Sequence, residues 1–454
     1  MLDLLHILRN FVAFLVAIGV LVSIHEFGHY WVARRLGVKV LRFSLGFGKV
    51  LWTRRTHDGV EWTVSAVPLG GYVRMLDERE GVVAPSELHL AFNRQHPLKR
   101  CAIVVAGPLF NFLLAIALCW VVFVAGITDL KPLITTPAKG SVAAQQNLAD
   151  GDEIVRLGDV DIQNWASLQL ELIDQSLSAA SLHLTVKSGK DPARKVELPL
   201  DHVRRDPRYL FDDLGLAPYA PLAPPNVEEI APGSPVENAG LKPGDRIVKA
   251  GDSDIHSPGE LVAWSSSHPG EVATLAIVRD GKPIELQVIV GRQIRDGKVV
   301  GWLGATVAAP RDLWNNLRAV YRTGPVDAIP AAVRDVWQMS TLTLKLLYRM
   351  VLGEVSVKNI SGPISIAQVA GISASIGPVY FLRMLAFISV GLGVLNLLPV
   401  PVLDGGHLLY YVVEMVKGSP LSERAQAIGV RIGLTLLVAL MGLAFYNDIM
   451  SLVG

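Results

Sequence analysis

The chain has 454 residues, room for about three domains of ordinary size. Its 42 Lys and Arg against 41 Asp and Glu leave a formal charge of +1, which excludes the basic excess of a nucleic-acid binder. At 51% apolar and 18% charged residues, with a mean hydropathy of +0.39, part of the chain belongs in lipid, and two cysteines exclude a disulfide scaffold.

Phe11 to Ala33 reads FVAFLVAIGVLVSIHEFGHYWVA, enough apolar length to cross a bilayer with Glu26 as its one acid. It contains His25-Glu26-Phe27-Gly28-His29. On a helix, positions i and i+4 share a face, so both imidazoles can reach one metal. Glu26, next to the first of them, can polarise water without itself ligating. Three such groups within one turn of a spanning helix are costly and mark function. Phe43 to Met75 follows as a hairpin, KVLWTRR and VEWTVSAV about a His57-Asp58-Gly59 turn, opening with Gly46-Phe47-Gly48 and closing with Pro68-Leu69-Gly70-Gly71-Tyr72. Cys101 to Ile127 carries no charge and forms the second span; Cys101 and Cys119 lie too far apart along it to bond and are packing residues.

From Thr128 to Ile376 polarity is ordinary and the sequence repeats. GSVAAQQNLADGDEIVRLGDVDI, from Gly140, aligns without a gap with GSPVENAGLKPGDRIVKAGDSDI, from Gly233, and nearly half the positions agree. Each copy predicts a small helix, a Gly-Asp turn (Gly151-Asp152, Gly244-Asp245), a strand and a second turn. Both copies resemble PDZ domains of the permuted kind found in bacterial proteases, which implies one domain over 128–221 and another over 222–310. Two roles stay open for them: binding an extended peptide by strand addition, or acting as spacers or a size filter. Ala331 to Leu352, in a connecting region over 311–375, has helical period but carries Arg334, Asp335, Lys345 and Arg349. It is expected at the membrane interface or against the outer domains.

Met384 to Val402 predicts a third span, interrupted by Gly391, Gly393, Pro399 and Pro401, and Ile432 to Tyr446 a fourth. Arg34, Arg35, Lys39, Arg42, Lys99, Arg100, Lys417 and Arg424 flank the spans on one side. That side is the inside, which leaves both termini and the long middle segment outside. The N-terminus lacks a cleavage site of small residues, so the first span is expected to stay in the protein.

A catalytic zinc generally takes three protein ligands. Candidates for the third follow the third span, in Asn396-Leu-Leu-Pro399-Val-Pro401-Val-Leu-Asp404-Gly405-Gly406-His407. Asp404 is preferred, on backbone that the prolines draw out of helix; His407 competes, and is read more simply as a cap.

HEFGH, AGPLFNF, the tandem repeat, KNISGPISIAQ and NLLPVPVLDGGHLLY together resemble the site-2 protease family of intramembrane zinc metalloproteases (peptidase family M50B). The resemblance covers nearly the whole chain. It implies an α-helical polytopic membrane protein with four transmembrane helices, an active site within the membrane, a membrane-associated β-loop and two periplasmic PDZ domains. It implies one Zn²⁺ per chain held by His25, His29 and Asp404, with Glu26 as general base. Asn396 matches a position that holds the substrate backbone or steadies the transition state, and Gly46, Gly48, Gly70 and Gly71 belong to the β-loop that receives an unwound substrate. One departure lies near Gly391, where some relatives carry a second polar residue. Implied partners are the lipid bilayer, single-pass membrane substrates such as an anti-sigma factor or signal-peptide remnants, and a peptide ligand of the PDZ domains. The implied place is the bacterial inner membrane, with the active site toward the cytoplasm. The alternative is a non-enzymatic membrane scaffold that displays PDZ domains and holds a structural metal, which four protein ligands would mark.

Overall fold

A computed structural model describes residues 2–219, 223–295, 298–308 and 316–453. The chain divides into two compact units, one of Met1–Ile127 with Tyr321–Val453 and one of Thr128–Val320. The expected boundaries at 221/222 and 310/311 fall outside the described residues.

Among the described residues of the first unit, four helices are long and apolar enough to cross a membrane: Leu2–Arg35, Pro97–Ala125, Pro378–Leu397 and Glu423–Val453. All four begin before their expected apolar runs, and the third, from Pro378, ends at Leu397, short of the expected Val402. Pro108 sits inside the second span without ending it. Two further helices, Ala328–Val351 and Pro363–Ile376, belong to this unit and not to the second. Ala332, Val336 and Met339 of the first of these pack with Ala115 and Cys119 of the second span and Ala386 and Val390 of the third. Its buried charge is answered there: Arg383 of the third span forms an ion pair with Asp335, with Nη2 3.3 Å from Oδ1. A charge that would forbid spanning is thus compatible with packing on the spans.

Val40–Arg55 and Glu61–Met75 pair antiparallel, as the hairpin pattern predicts. The pairing then doubles back. Phe43 lies opposite both Val73 and Trp62, and Leu45 opposite both Gly71 and Val64, so two long strands curl into a sheet of four segments. The bend needs glycine. Gly46 has φ +88°, and a Cβ there would lie 2.8 Å from the Val67 carbonyl oxygen. Aromatic rings hold the sheet on the first span, with Tyr30 against Phe43 at 5.7 Å and Trp62 at 5.3 Å between centroids. Gly71–Met75 pairs with Val40–Leu45 on one side and has no strand partner on the other among the described residues.

In the second unit each repeat copy builds its own sheet and core. The first sheet runs Val160–Asp161, Asp152–Leu157, Ser181–Ser188, Arg194–Pro199, with the helix Trp165–Ser176. Leu168, Leu172, Ile154 and Leu184 are buried in its core. The second runs Lys282–Ile289, Val272–Arg279, Arg246–Ala250, Asn226–Ile230, Ala305–Ala308, with the helix Pro258–Ser267 and a core that includes Ile247, Leu261 and Leu275.

Candidate metal centre

The first span carries His25 and His29 one turn apart on its buried face, 8% and 9% exposed. Their Nε2 atoms stand 3.3 Å apart, with the rings nearly perpendicular at 85°. Asp404 opens the helix Asp404–Lys417 and brings Oδ2 to 3.2 Å from Nε2 of His25 and 3.5 Å from Nε2 of His29. That oxygen is buried with no donor directed at it. Two ring nitrogens and a carboxylate oxygen converging without a shared proton donor are unfavourable unless a cation joins them. Ligands 2.0–2.1 Å from a tetrahedral zinc lie about 3.3–3.5 Å from one another, which is the spacing here. The donor set, two imidazoles and a carboxylate, is also one that zinc accepts. Residues and spacing therefore fit the ion.

Several local features bring Asp404 there. The third span ends at Leu397, since neither Pro399 nor Pro401 can continue it. Val402, two residues before the carboxylate, has φ +102°, a conformation that costs a β-branched residue about 1–3 kcal/mol. A Cβ at Gly405 would overlap the carbonyl oxygens of Leu397 and Leu398, and one at Gly406 that of Val400, so the glycine pair lets the new helix fold flat on this turn. Further along, Glu414 takes a 2.5 Å hydrogen bond from Arg100, whose guanidinium lies 4.7 Å over the Tyr411 ring. Arg100, read from the sequence as a flanking inside charge, is buried and pins the Asp404 helix to the second span.

The second span shapes the other wall. His29 Nδ1 is 2.8 Å from the Ile103 carbonyl oxygen, and His25 Nδ1 is 3.0 Å from the Asn111 amide. Between them is Gly107, where a Cβ would overlap Nε2 of His29 and lie 2.9 Å from Cε1 of His25. The sequence singles out AGPLFNF without giving these residues a task. The signal available was a polar Asn111 inside a charge-free span.

The other expected residues divide. Glu26 is half-buried beside His25, and a Cβ on Gly71 would lie 3.0 Å from Glu26 Cγ and 2.7 Å from the Ser44 carbonyl oxygen. Gly71 thus lets the curled sheet meet the first span beside the carboxylate. Gly46 and Gly48, at φ +88° and +83°, and Gly70, at φ +147°, serve bends of that sheet. Asn396 is half-buried in the last turn of the third span. The capping role expected of His407 fails. It lies in the first turn of the Asp404 helix, exposed, with its ring edge-on to Tyr410 at 6.2 Å, and it is outside the ligand cluster.

His25, His29 and Asp404 form a cluster that could hold a metal ion, with Glu26 beside it. The histidines lie on a helix long and apolar enough to cross a membrane and Asp404 on the short helix after the third span, an arrangement that fits the class of metal-dependent membrane hydrolases. Residues 13–440 match the description Peptidase family M50. The chain is 41% identical to the "Regulator of sigma-E protease RseP" of Escherichia coli over 447 residues, 98% of this chain and 99% of that one. It is 41% identical to the "Protease RseP" of Yersinia pestis over 448 residues, again 98% and 99%. A Vibrio cholerae protein whose description names a zinc metalloprotease is 39% identical over 97% of this chain and 98% of its own. A PDZ domain of an SdrC-like protein from Listeria monocytogenes aligns with 21% of this chain and 95% of its own at 17% identity and a TM-score of 0.18, a likeness that carries no argument. The chain belongs to peptidase family M50.

Proposed function

We propose that this protein hydrolyses peptide bonds within membrane-spanning segments of single-pass proteins, with His25, His29 and Asp404 as the zinc ligands and Glu26 as general base. The observation that carries the reading is the convergence of three donor atoms, the Asp404 oxygen buried and undirected, two of them on a helix that can cross a bilayer and the third just after another such helix. A bound zinc ion supplies a Lewis acid that acidifies water and polarises a carbonyl. Glu26, adjacent in sequence to His25 and not among the ligands, takes the proton from that water and returns it to the departing amine. Asn396 donates its amide to the substrate backbone or to the developing oxyanion.

A spanning substrate is helical, because lipid offers its backbone no other partner. Cleavage needs it unwound, and the unpaired edge of Gly71–Met75, starting beside Glu26, is suited to receive the unwound stretch as an added strand. An apolar groove of about 930 Å³ supports the approach. Val22, Val67, Ile366, Phe387, Leu392 and Met441 line it, and so does Gly391, which leaves open space near where some relatives have a second polar group.

The domain layout that goes with this reading is a membrane region over 1–127 and 376–454, PDZ domains over 128–221 and 222–310, and connecting helices over 311–375. The PDZ pair acts as a size filter on the periplasmic side, both termini are periplasmic, and the enzyme sits in the bacterial inner membrane with its active site toward the cytoplasm. An anti-sigma factor already trimmed outside is the first substrate class, in keeping with the name of the Escherichia coli relative, and signal-peptide remnants are the second.

The test is a purified Glu26→Gln variant given a truncated single-pass substrate. Full zinc content with cleavage reduced by about 10²–10⁴-fold is expected, and undiminished turnover rejects the role. Deleting residues 130–307 is expected to admit untrimmed substrates. If the folded deletion enzyme still refuses them, the filter is wrong.

A further inference from the structure

A neutral imidazole carries one N–H and one lone pair, on opposite nitrogens. To offer Nε2 to a metal, a histidine must keep its proton on Nδ1, and in a dry interior that N–H needs an acceptor. His29 has one: its Nδ1 donates to the Ile103 carbonyl oxygen at 2.8 Å. For His25, the polar group against Nδ1 among the described residues is the side-chain amide of Asn111, 3.0 Å away on the second span.

Asn111 is fully buried, and its Oδ1 has no hydrogen-bond partner. Its Nδ2 faces the ring. An amide donating to Nδ1 would put the ring proton on Nε2, the atom 3.2 Å from Asp404 Oδ2. A half-turn about the last bond of Asn111 exchanges nitrogen and oxygen in nearly the same volume. It brings the orphaned oxygen to Nδ1 as an acceptor and frees Nε2 to ligate. One change thus answers a buried unpartnered oxygen and the tautomer that metal binding demands.

We infer that Asn111 is a positioning residue for the metal, accepting the Nδ1–H of His25 through its amide oxygen so that Nε2 faces the ion as a lone pair. The backbone supports the role. Ile103, Gly107 and Asn111 succeed one another at intervals of four along the second span, where side chains stack on one face. They present in turn a carbonyl for His29, open room for both rings, and an amide for His25. The main-chain oxygen of Asn111 also accepts a 2.8 Å hydrogen bond from Ser389 of the third span, which fixes the residue from behind.

The inference rests on His25 being a zinc ligand, and the experiment separates the two. Full-length protein in detergent is titrated against a zinc-selective chelator to give its zinc affinity, and melting of the metal-free protein is followed in parallel. Asn111→Leu keeps the volume without an acceptor and is expected to weaken zinc binding by about 10–100-fold. Asn111→Asp keeps an acceptor that cannot donate and is expected to bind zinc at least as tightly as the unsubstituted protein. Saturating zinc is expected to restore turnover in Asn111→Leu with an unchanged substrate KM. Leucine at full affinity overturns the inference. So does an aspartate variant as weak as leucine with melting unchanged, since packing or donation would then be the role. If His25→Ala leaves zinc affinity untouched, the ligand set itself falls and takes this inference with it.

Discussion

Two kinds of buried aspartate stand beside glycines in this chain. Asp152 and Asp245, each 1% exposed, follow Gly151 and Gly244 in the two repeat copies. Asp245 receives a 2.7 Å bond from the Lys242 amide and two at 2.7 Å from Arg279. Asp152 receives the Ala149 amide at 3.0 Å, the Ser188 hydroxyl at 2.5 Å and Arg194 at 3.0 Å. The repeat has thus kept one device in both copies, a carboxylate that closes a loop and binds a strand arginine. Asp404 faces two imidazole nitrogens, and no donor is directed at its buried oxygen. Asp152 and Asp245 have their cation in the chain, in Arg194 and Arg279; Asp404 has no donor directed at its buried oxygen among the described residues. A buried carboxylate holds a fold when its partners are covalently present and serves chemistry when they are not.

This contrast predicts opposite results from similar substitutions. The largest effect is at the metal centre. Asp404→Ala is expected to abolish zinc retention and lower cleavage by more than about 10³-fold, while the metal-free protein melts no lower than before. Zinc analysis with calorimetry checks this, and a strong loss of apo stability would erase the distinction. Next, Gly107→Ala places a methyl where the two imidazoles stand and is expected to weaken zinc binding by about 10–100-fold, by chelator competition. Wild-type affinity would mean that the spans separate easily there.

Asp245→Ala is expected to leave zinc and the membrane unit untouched and to destabilise its own module by about 3 kcal/mol, because Arg279 loses its buried partner. Hydrogen exchange at Ile247 and Leu275, buried in that core, would report it. The smallest effect is the pH response of the same group. Burial alone would raise the Asp245 carboxyl, but the Arg279 guanidinium and the Lys242 amide outweigh it and hold the carboxyl below the usual carboxylate range. Its stabilisation is therefore complete above about pH 4 and lost as pH falls through the lowered value. Asp245→Asn is expected to flatten that acid limb, and an unchanged limb would assign it to other groups.

Much of the site was legible because it is local. One turn of helix separates His25 from His29, so the shared face needed no tertiary information. Asp404 was legible for a different reason, as a carboxylate after prolines that stop a span. His407 was misread because a histidine after a turn is equally consistent with a cap, and only the packed helix shows that its ring points out. The partner of Arg100 was not legible, because a basic residue at a span's end looks the same to the sequence whether it meets water or Glu414.

By itself the sequence determined the lipid-soluble stretches, the duplicated modules and the spacing of the two histidines, since each depends on composition or on period within one element. The tertiary structure alone decided which wall closes the site. Ile103, Gly107 and Asn111 matter because the second span packs against the first, and the hairpin doubles back so that Gly71 meets Glu26. Those pairings join residues far apart in the chain, and their geometry follows from packing, which no local pattern encodes.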